Sequence, residues 1–399
     1  MFVGKAIAFR EEMAAIAVTG LSLFIWLFLL LFWGGFWRAD RRIESKPEGD
    51  RNLEIYPTVW IIVPARDEAE VISASLSSLF DRDYLGKSKI VLVDDNSSDR
   101  TVEVARQTAK EANRSDELKT ISGQPLATGW KGKLWAMQQG IEYARSQTPA
   151  PDYFLFTDAD IKHAPNNLTQ LITKAETENL DLVSLMVLLR CESFWEKLLI
   201  PAFVFFFQKL YPFAWVNDSR KAIAAAAGGC ILIRNEALKA IGGIATIKDA
   251  LIDDCSLATA VKSRGKNIWL GLSETTISLR GYDRLNVIWD TIARTAYTQL
   301  NYSPLLLVGT VLGMAIVYLV PPIALVAGII TGSWLVVAMA ILTWLLMATA
   351  YLPTIKLYER SAAWTLALPA IALLYTLMTI DSAVKYYRGK GGAWKGRTY

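Results

Sequence analysis

Apolar and polar positions divide the chain into parts with different periodicities. Residues 14–37 carry no charge and form an apolar run long enough to cross a bilayer, for which about 20 residues suffice. Short apolar runs then alternate with amphipathic stretches, until long apolar blocks return near the carboxyl end. This pattern predicts a transmembrane helix in 1–38, a linker in 39–56, a globular domain in 57–302, a transmembrane region in 303–384 and a basic tail in 385–399.

The middle part has the pattern of an α/β domain. Strand-like runs at 59–63, 90–93 and 153–157 are separated by helical patterns near 68–80, 99–112 and 133–145. Such alternation predicts a mostly parallel sheet with helices on both faces. An apolar stretch at 198–216 is interrupted by Pro201, Gln208, Lys209 and Pro212, and we expect an interfacial helix there in preference to core packing or a true span.

Three apolar blocks at the carboxyl end, 304–331, 334–353 and 364–380, each predict one helix. Pro321 and Pro322 can kink the first block or divide it into a re-entrant pair. Lysine and arginine are denser after residue 37 than before residue 14, which places the middle domain in the cytoplasm of a multi-pass protein of the cell inner membrane or plasma membrane. Three further crossings would put the basic tail outside, against the same rule, so the number of crossings stays open.

Composition supports a soluble domain joined to membrane segments. Hydrophobic residues make up 53% of the chain, and the net charge of +4 is concentrated near the membrane segments, which favours anionic lipid headgroups over nucleic acid. Three cysteines without metal-type spacing indicate neither a disulfide framework nor a zinc site. His163 is the single histidine, so a histidine-based triad is excluded, and we expect this side chain to cap or pack in its turn.

Paired carboxylates are the candidate chemistry. Asp158 and Asp160 directly follow a strand, and carboxylate oxygens there suit a divalent cation, Mg²⁺ or Mn²⁺, that carries substrate phosphates. A second pair follows another strand and a third opens a predicted helix. A surface turn or a helix cap explains any single pair, but three pairs in one α/β region exceed that explanation. The other two pairs are Asp94 with Asp95 and Asp253 with Asp254.

Two further segments complete the predicted site. After the first strand come Pro64, Ala65, Arg66 and Glu68, where Asp67 is expected to cap the next helix, alone or in a capping box with Glu70. The segment GWKGK offers Lys131 and Lys133 to diphosphate oxygens, although a solvated basic loop explains it too. Neither a P-loop nor a GxGxxG follows the first strand, which counts against a dinucleotide oxidoreductase.

Together the motifs VPARDE, VDDNSSD, GWKGK, TDAD, AGGCILIRNEALKAIGG and IDD resemble the family 2 inverting glycosyltransferases of GT-A fold over 60–302. The flanking apolar segments and the ending YYRGKGGAWKGRTY look most like the hopene-associated glycosyltransferases. The resemblance implies that Asp94 contacts the nucleoside, that Asp158 and Asp160 hold the metal, and that Asp254 deprotonates the acceptor. Pro64, Ala65 and Glu68 would line the nucleotide pocket.

The sequence thus predicts an inverting glycosyltransferase that moves a sugar from a nucleotide-diphosphate sugar to a lipid-associated acceptor, with a hopanoid as one candidate. Lys133 or Arg294 would neutralise the leaving diphosphate, and Asp253 joins Asp254 as a catalytic candidate. Only Arg294 and Tyr297 stand where related polymer synthases carry Q-x-x-R-W, which argues against processive synthesis. A polysaccharide synthase and a non-catalytic nucleotide-binding scaffold remain the alternatives.

Overall fold

A computed structural model describes residues 2–43, 53 and 55–389, with the backbone alone for 2–8. Most of the predicted linker 39–56 and all of the tail beyond residue 389 lie outside these ranges. The chain divides into two compact units. The helical unit comprises Met1–Ala39, Cys191–Pro212 and Tyr282–Tyr399, and the sheet unit comprises Asp40–Arg190 and Phe213–Gly281.

One eight-stranded sheet forms the centre of the sheet unit. Its strands lie in the order β3-β2-β1-β4-β7-β6-β8-β5. They are β1 Val59–Ala65, β2 Ser88–Asp94, β3 Leu118–Ser122, β4 Tyr153–Thr157, β5 Ile161–Lys162, β6 Leu182–Leu188, β7 Cys230–Arg234 and β8 Ile268–Ser278.

Fourteen α-helices lie in the described part of the chain. They are α1 Phe2–Phe32, α2 Ile72–Phe80, α3 Thr101–Glu111, α4 Gly132–Arg145, α5 Asn167–Thr177, α6 Phe194–Leu210, α7 Phe213–Val216, α8 Asn235–Ala240, α9 Asp253–Lys262, α10 Leu285–Gln299, α11 Pro304–Met314, α12 Val320–Thr331, α13 Trp334–Leu357 and α14 Leu368–Tyr387.

The sheet is parallel at one side and mixed at the other. β3, β2, β1 and β4 run parallel, as the three strand-like runs predict. β7 is antiparallel to both β4 and β6, whereas β8 is parallel to β6. The parallel strands end at one common edge, so the loops that follow them meet there. The α/β class with helices on both faces is confirmed.

Alternate residues of the strands pack against opposite helix layers. Ile61 and Val63 of β1 share a buried core with Leu76 and Leu79 of α2. On the other face, α4 approaches the sheet so closely that a Cβ on Gly140 would lie 2.7 Å from Cγ2 of Ile62. Glycine at this position therefore sets the distance between α4 and the sheet, and α4 begins next to the site.

The expected helix cap at Asp67 is wrong. The helix begins later, at Ile72, and Asp67 has a φ of 50° in the left-handed region. Its carboxylate accepts hydrogen bonds from the backbone N–H and the hydroxyl of Ser98 instead. Asp67 thus joins the loop after β1 to the loop after β2, because partners in the neighbouring loop are nearer than the amino end of α2.

The helical unit contains the predicted apolar segments as long helices. Within the described residues, four helices are long and apolar enough to cross a membrane: Phe9–Phe32, Pro304–Thr331, Trp334–Leu357 and Ala362–Tyr387. Large apolar side chains on them are exposed, among them Leu305, Ile330 and Trp334, as expected of surfaces that face lipid. These helices confirm the expected segments of the fold class.

The first carboxyl-terminal block is one continuous run of helix with an irregular turn. A π-helical turn at Ala315–Leu319 joins α11 to α12. Pro321 and Pro322 follow it, and neither has an N–H that could bond the carbonyl of Val317. The indole Nε1 of Trp26 in α1 donates to that carbonyl at 2.8 Å. A neighbouring helix thereby satisfies the carbonyl that the prolines leave without a backbone donor.

The stretch 198–216 is divided between two helices. α6 ends at Leu210, Pro212 follows, and α7 begins at Phe213. Leu199, Ala202 and Phe205 of α6 are buried in the core of the helical unit. No residue from 195 to 209 is exposed, so packing surrounds this helix, and its interfacial location stays a prediction.

Candidate active site

Side chains at the carboxyl ends of the parallel strands form the candidate site. Ala65 at the end of β1 lies beside Asp94 at the end of β2, and Asp158 directly follows β4 on the other side of β1. The site lies wholly within the sheet unit. A narrow cleft at this edge is lined by Pro64, Lys133, Asp158, Gly228, Asp253 and Asp254, together with apolar side chains.

Lys133 is the cation of the cleft. Its Nζ lies 2.8 Å from Oδ1 of Asp158 and 3.3 Å from Oδ2 of Asp253. Burial alone would lower the pKa of Lys133, but Asp158 and Asp253 outweigh burial and raise it above its usual range. Burial raises the pKa of Asp158, and Lys133 opposes that shift. The ammonium therefore stays charged and joins two of the predicted acidic pairs.

Asp254 is held differently from Asp253. Its Oδ2 accepts the backbone N–H of Gly228 at 2.8 Å, and its Oδ1 accepts the N–H of Cys255 at 2.7 Å. Burial, followed by the charge of Asp253, raises the pKa of Asp254 to about 6. No ion pair engages Asp254 within the part of the chain that the structure describes. Each of its oxygens keeps a lone pair for another donor, which a general base requires.

A second cation, the guanidinium of Arg280, pairs with Asp160 and Glu68. Arg280 follows β8, and its Nε lies 2.6 Å from Oδ2 of Asp160 while its Nη2 lies 2.9 Å from Oε1 of Glu68. The backbone N–H of Leu279 donates to the carbonyl of Asp160 at 2.7 Å. The two carboxylates of the TDAD motif thus face different cations, Lys133 for the first and Arg280 for the second.

The remaining predicted donor residues lie in the loops after β1 and β2. Nη1 of Arg66 donates to the carbonyl of Asp95 at 2.8 Å. Oδ1 of Asp94 accepts the backbone N–H of Ser97 at 3.2 Å, which leaves the other carboxylate oxygen for a ligand hydroxyl. Arg66, Asp94 and Asp95 therefore share the edge with Ala65 and Glu68. A nucleoside role for them stays a prediction.

His163 and Arg294 are not among the residues that line the cleft. His163 packs in its turn, as expected: its ring nitrogens contact Thr157 Oγ1 at 2.9 Å and Asn167 Nδ2 at 2.8 Å. Burial lowers the pKa of His163 to about 4, so the ring is neutral at physiological pH. Arg294 is half-buried on α10 in the helical unit, and its catalytic role stays a prediction.

The chemistry of the donor set fits Mg²⁺ or Mn²⁺. Asp158 and Asp160 offer carboxylate oxygens, and Mg²⁺ usually binds to one or two carboxylates and takes its other ligands from substrate phosphates and water. In the described residues no group of three or more histidine, cysteine, aspartate or glutamate side chains could hold a metal unaided. Asp158 and Asp160 would hold a cation that arrives with a diphosphate.

Sequence reasoning missed Arg280 and the role of Gly228. Arg280 lies two residues after the end of β8, so the rule that strand ends converge at a sheet edge would have pointed to it. Gly228 belongs to the AGGC segment, and a Cβ there would lie 3.3 Å from Lys133 Nζ and 3.4 Å from Asp254 Oδ2. A side chain at this position would crowd the two charged groups of the cleft.

Known proteins agree with this fold and these motifs. The model of Glycosyl transferase family 21 matches residues 23–399. The mannosyltransferase PcManGT from Pyrobaculum calidifontis, solved with GDP-Man and Mn²⁺, has a TM-score of 0.55 and 21% identity, covering 94% of this chain and 98% of that chain. This likeness shows the GT-A fold. The expected class, a membrane-associated GT-A glycosyltransferase, is confirmed with family 21 as the matching model.

Curated relatives match over shorter lengths. The beta-monoglucosyldiacylglycerol synthase of Trichormus variabilis is 26% identical over 259 residues, which are 60% of this chain and 52% of that protein. The 4,4'-diaponeurosporenoate glycosyltransferase of Staphylococcus haemolyticus is 27% identical over 146 residues, 37% of this chain and 33% of that protein. The chain spans about half of the first and a third of the second. The likeness to hopene-associated enzymes stays a prediction.

Proposed function

The chain belongs to glycosyl transferase family 21, and from this premise we propose that it is an inverting glycosyltransferase that transfers a sugar from a nucleotide-diphosphate sugar to a lipid hydroxyl. The observation that carries the proposal is the cleft itself. It places an ammonium between Asp158 and Asp253 and a half-buried carboxylate, Asp254, beside them. A carboxylate placed in this way can accept the proton of an attacking hydroxyl, and the ammonium beside it can stabilise a departing anion.

Asp254 is the general base of the proposed reaction. The acceptor hydroxyl donates its proton to Asp254 while its oxygen forms a bond to the anomeric carbon of the donor sugar. The bond from that carbon to the diphosphate oxygen breaks, and the diphosphate takes the electron pair. One displacement inverts the anomeric configuration. The N–H groups of Gly228 and Cys255 orient the carboxylate of Asp254 for this step.

Lys133 and the loops at the sheet edge bind the donor. The ammonium of Lys133 neutralises charge on the leaving diphosphate, and the carboxylate of Asp94 accepts a hydrogen bond from a hydroxyl of the nucleoside. Asp158 and Asp160 would hold Mg²⁺ or Mn²⁺, which supplies further positive charge to the diphosphate when bound. The solved PcManGT carries Mn²⁺ and GDP-Man, which supports a donor and a metal of this kind.

A lipid acceptor at the cytoplasmic face is supported by three observations. Four helices have the length and apolar character of membrane spans. The density of lysine and arginine after the first helix favours a cytoplasmic sheet unit. A relative named as a glucosyldiacylglycerol synthase acts on a lipid. A hopanoid is one candidate acceptor.

The test is a transfer assay with the purified full-length protein in detergent, with Mn²⁺ or Mg²⁺, radiolabelled UDP- and GDP-sugars, and a bacterial lipid extract. We expect one sugar on a lipid with the anomeric configuration opposite to that of the donor, determined by NMR. Retention of configuration would reject the single displacement. A long polymer would identify a polysaccharide synthase, and donor binding without hydrolysis or transfer would favour the non-catalytic nucleotide-binding scaffold.

A further inference from the structure

The ammonium of Lys262 lies among backbone carbonyls at the end of α9. Its Nζ is 2.6 Å from the carbonyl oxygen of Val216, 2.9 Å from that of Ile223 and 3.0 Å from that of Asp218. The carbonyl of Trp215 is a fourth, longer contact at 3.4 Å. Lysine has three N–H donors, so the three short contacts account for all of them.

This arrangement resembles the way a protein holds a cation with backbone oxygens. No carboxylate lies within ion-pair distance of Lys262 in the ranges that the structure describes. The carbonyls of Trp215 and Val216 belong to the last turn of the short helix α7, where carbonyls have no partner within the helix. A lysine that reaches them from another element fixes the chain where regular structure ends.

The carbonyls belong to the first part of a largely irregular segment, 215–228, that leads into the cleft. Beyond residue 223 the segment continues through buried alanines to Ala227, whose N–H donates to Ser184 Oγ at 2.8 Å, and ends at Gly228. The backbone N–H of Gly228 donates a hydrogen bond to Oδ2 of Asp254. The segment, together with Ser184 of β6, which bonds both the N–H and the carbonyl of Ala227, therefore positions the Gly228 donor.

α9 contacts this segment at both of its ends. Asp254 in the first turn receives the N–H of Gly228, and Lys262 in the last turn binds the carbonyls before it. We infer that Lys262 is a positioning residue, which fixes the segment 215–228 against α9 and thereby holds the Gly228 N–H on the carboxylate of Asp254. The consequence for transfer rests on the proposed function, but the fixing of the segment does not.

Limited proteolysis tests the contact without any assay of activity. Arg220 and Lys221 are exposed trypsin sites inside the segment. Lys262→Met keeps the length of the side chain and removes its N–H donors. We expect trypsin to cleave the full-length Met variant after residues 220 and 221 at least five times faster than the natural protein, as followed by mass spectrometry.

A matched control is Lys266→Met, because Lys266 lies one turn beyond α9 and pairs with Asp181 at 3.5 Å. Its cleavage rate should equal that of the natural protein. Lys262→Arg retains donors and charge and should recover part of the protection. If Lys262→Met does not fold, as judged by circular dichroism, Lys262→Gln replaces it, since the amide keeps two donors and should give intermediate cleavage. Equal cleavage of the folded Lys262 variants and the natural protein would overturn the inference.

Kinetics test the second half of the inference. In Lys262→Met we expect kcat for transfer to fall at least tenfold, with the KM for the donor changed less than twofold, because the donor loops do not include this segment. Faster cleavage with an unchanged kcat would overturn the link to Asp254. If Lys262→Met is cleaved faster but the natural protein transfers no sugar, the proposed function is contradicted and the inference about the Lys262 contact still holds.

Discussion

Arg280 and Asp160 form an ion pair at the sheet edge, with Nε of the guanidinium 2.6 Å from Oδ2 of the carboxylate. The same guanidinium reaches Glu68. Because Asp160 is a predicted ligand of the divalent cation, Arg280 and the cation would share one carboxylate. Its positive charge would weaken the binding of the cation, whereas its contact with Asp160 would orient that carboxylate for the cation. A mutation of Arg280 can separate these two effects.

Arg280→Met should strengthen the binding of Mn²⁺ to the full-length protein in the presence of a nucleoside diphosphate at one fixed concentration. Removal of one positive charge a few ångströms from Asp160 leaves the carboxylates more negative, a difference worth about 1 kcal/mol or more. We expect the dissociation constant to fall at least fivefold, measured by electron paramagnetic resonance of free Mn²⁺. Arg264→Met, on the exposed turn after α9, is the control and should bind Mn²⁺ as the natural protein does. Weaker binding in Arg280→Met would instead mean that Arg280 orients Asp160 for the cation.

Asp254→Asn should lower kcat for transfer by about 10²–10⁴, the usual contribution of a general base, while donor affinity stays within about twofold. The amide keeps the size of the side chain but cannot accept the acceptor proton. Donor binding is measured by calorimetry and transfer by product formation. Asp249→Asn is the control, because Asp249 is an exposed carboxylate outside the cleft. An Asn variant as active as the natural protein would remove Asp254 from the role of base.

The rate of transfer should fall on the acid side of pH 6. Asp254 must be ionised to accept a proton, and its pKa is about 6, so its ionised fraction drops about tenfold for each pH unit below that value. Lys133 and Asp253 are the other charged groups that act on it. Asp253→Asn should move the midpoint of kcat to lower pH, since the charge of Asp253 raises the pKa of Asp254. A midpoint that stays in place would indicate that another group sets the profile.

Trp26→Phe should destabilise the helical unit through the carbonyl of Val317. The loss of one buried hydrogen bond between helices costs about 1 kcal/mol in membrane proteins. Pro321→Ala supplies an N–H four residues after Val317, so Trp26→Phe should cost less in that background. The check is a double-mutant cycle of unfolding free energies in detergent. Equal costs in both backgrounds would mean that the prolines do not create the need for Trp26.

Sequence patterns located the strands that matter most for the site. β1, β2 and β4 are short, almost wholly apolar runs, because both of their faces are covered by helices, and each ends at one of the predicted polar segments. Asp158, Asp253 and Lys133 could therefore be expected at one edge, and the structure brings them together. The fold class was predictable for the same reason.

Other features depend on tertiary neighbours that sequence spacing does not encode. Asp67 looks like a helix cap by its distance from an apolar run, but Ser98 in the next loop offers nearer donors. The antiparallel insertion of β7 between β4 and β6 follows from how the chain returns to the sheet, and no local pattern marks it. Arg280 comes to Asp160 through β8, which lies far along the chain.

The chain leaves the sheet after β6, forms α6 within the helical unit and returns before β7. Tyr375 of α14, near the end of the chain, donates its hydroxyl hydrogen to the carbonyl of Leu199 in α6. During synthesis α6 must therefore wait for partners that the ribosome makes much later, while the sheet waits for β7 and β8. A single cut therefore cannot separate the sheet unit from the helical unit, because Cys191–Pro212 is inserted within the sheet unit in addition to the segments Met1–Ala39 and Tyr282–Tyr399.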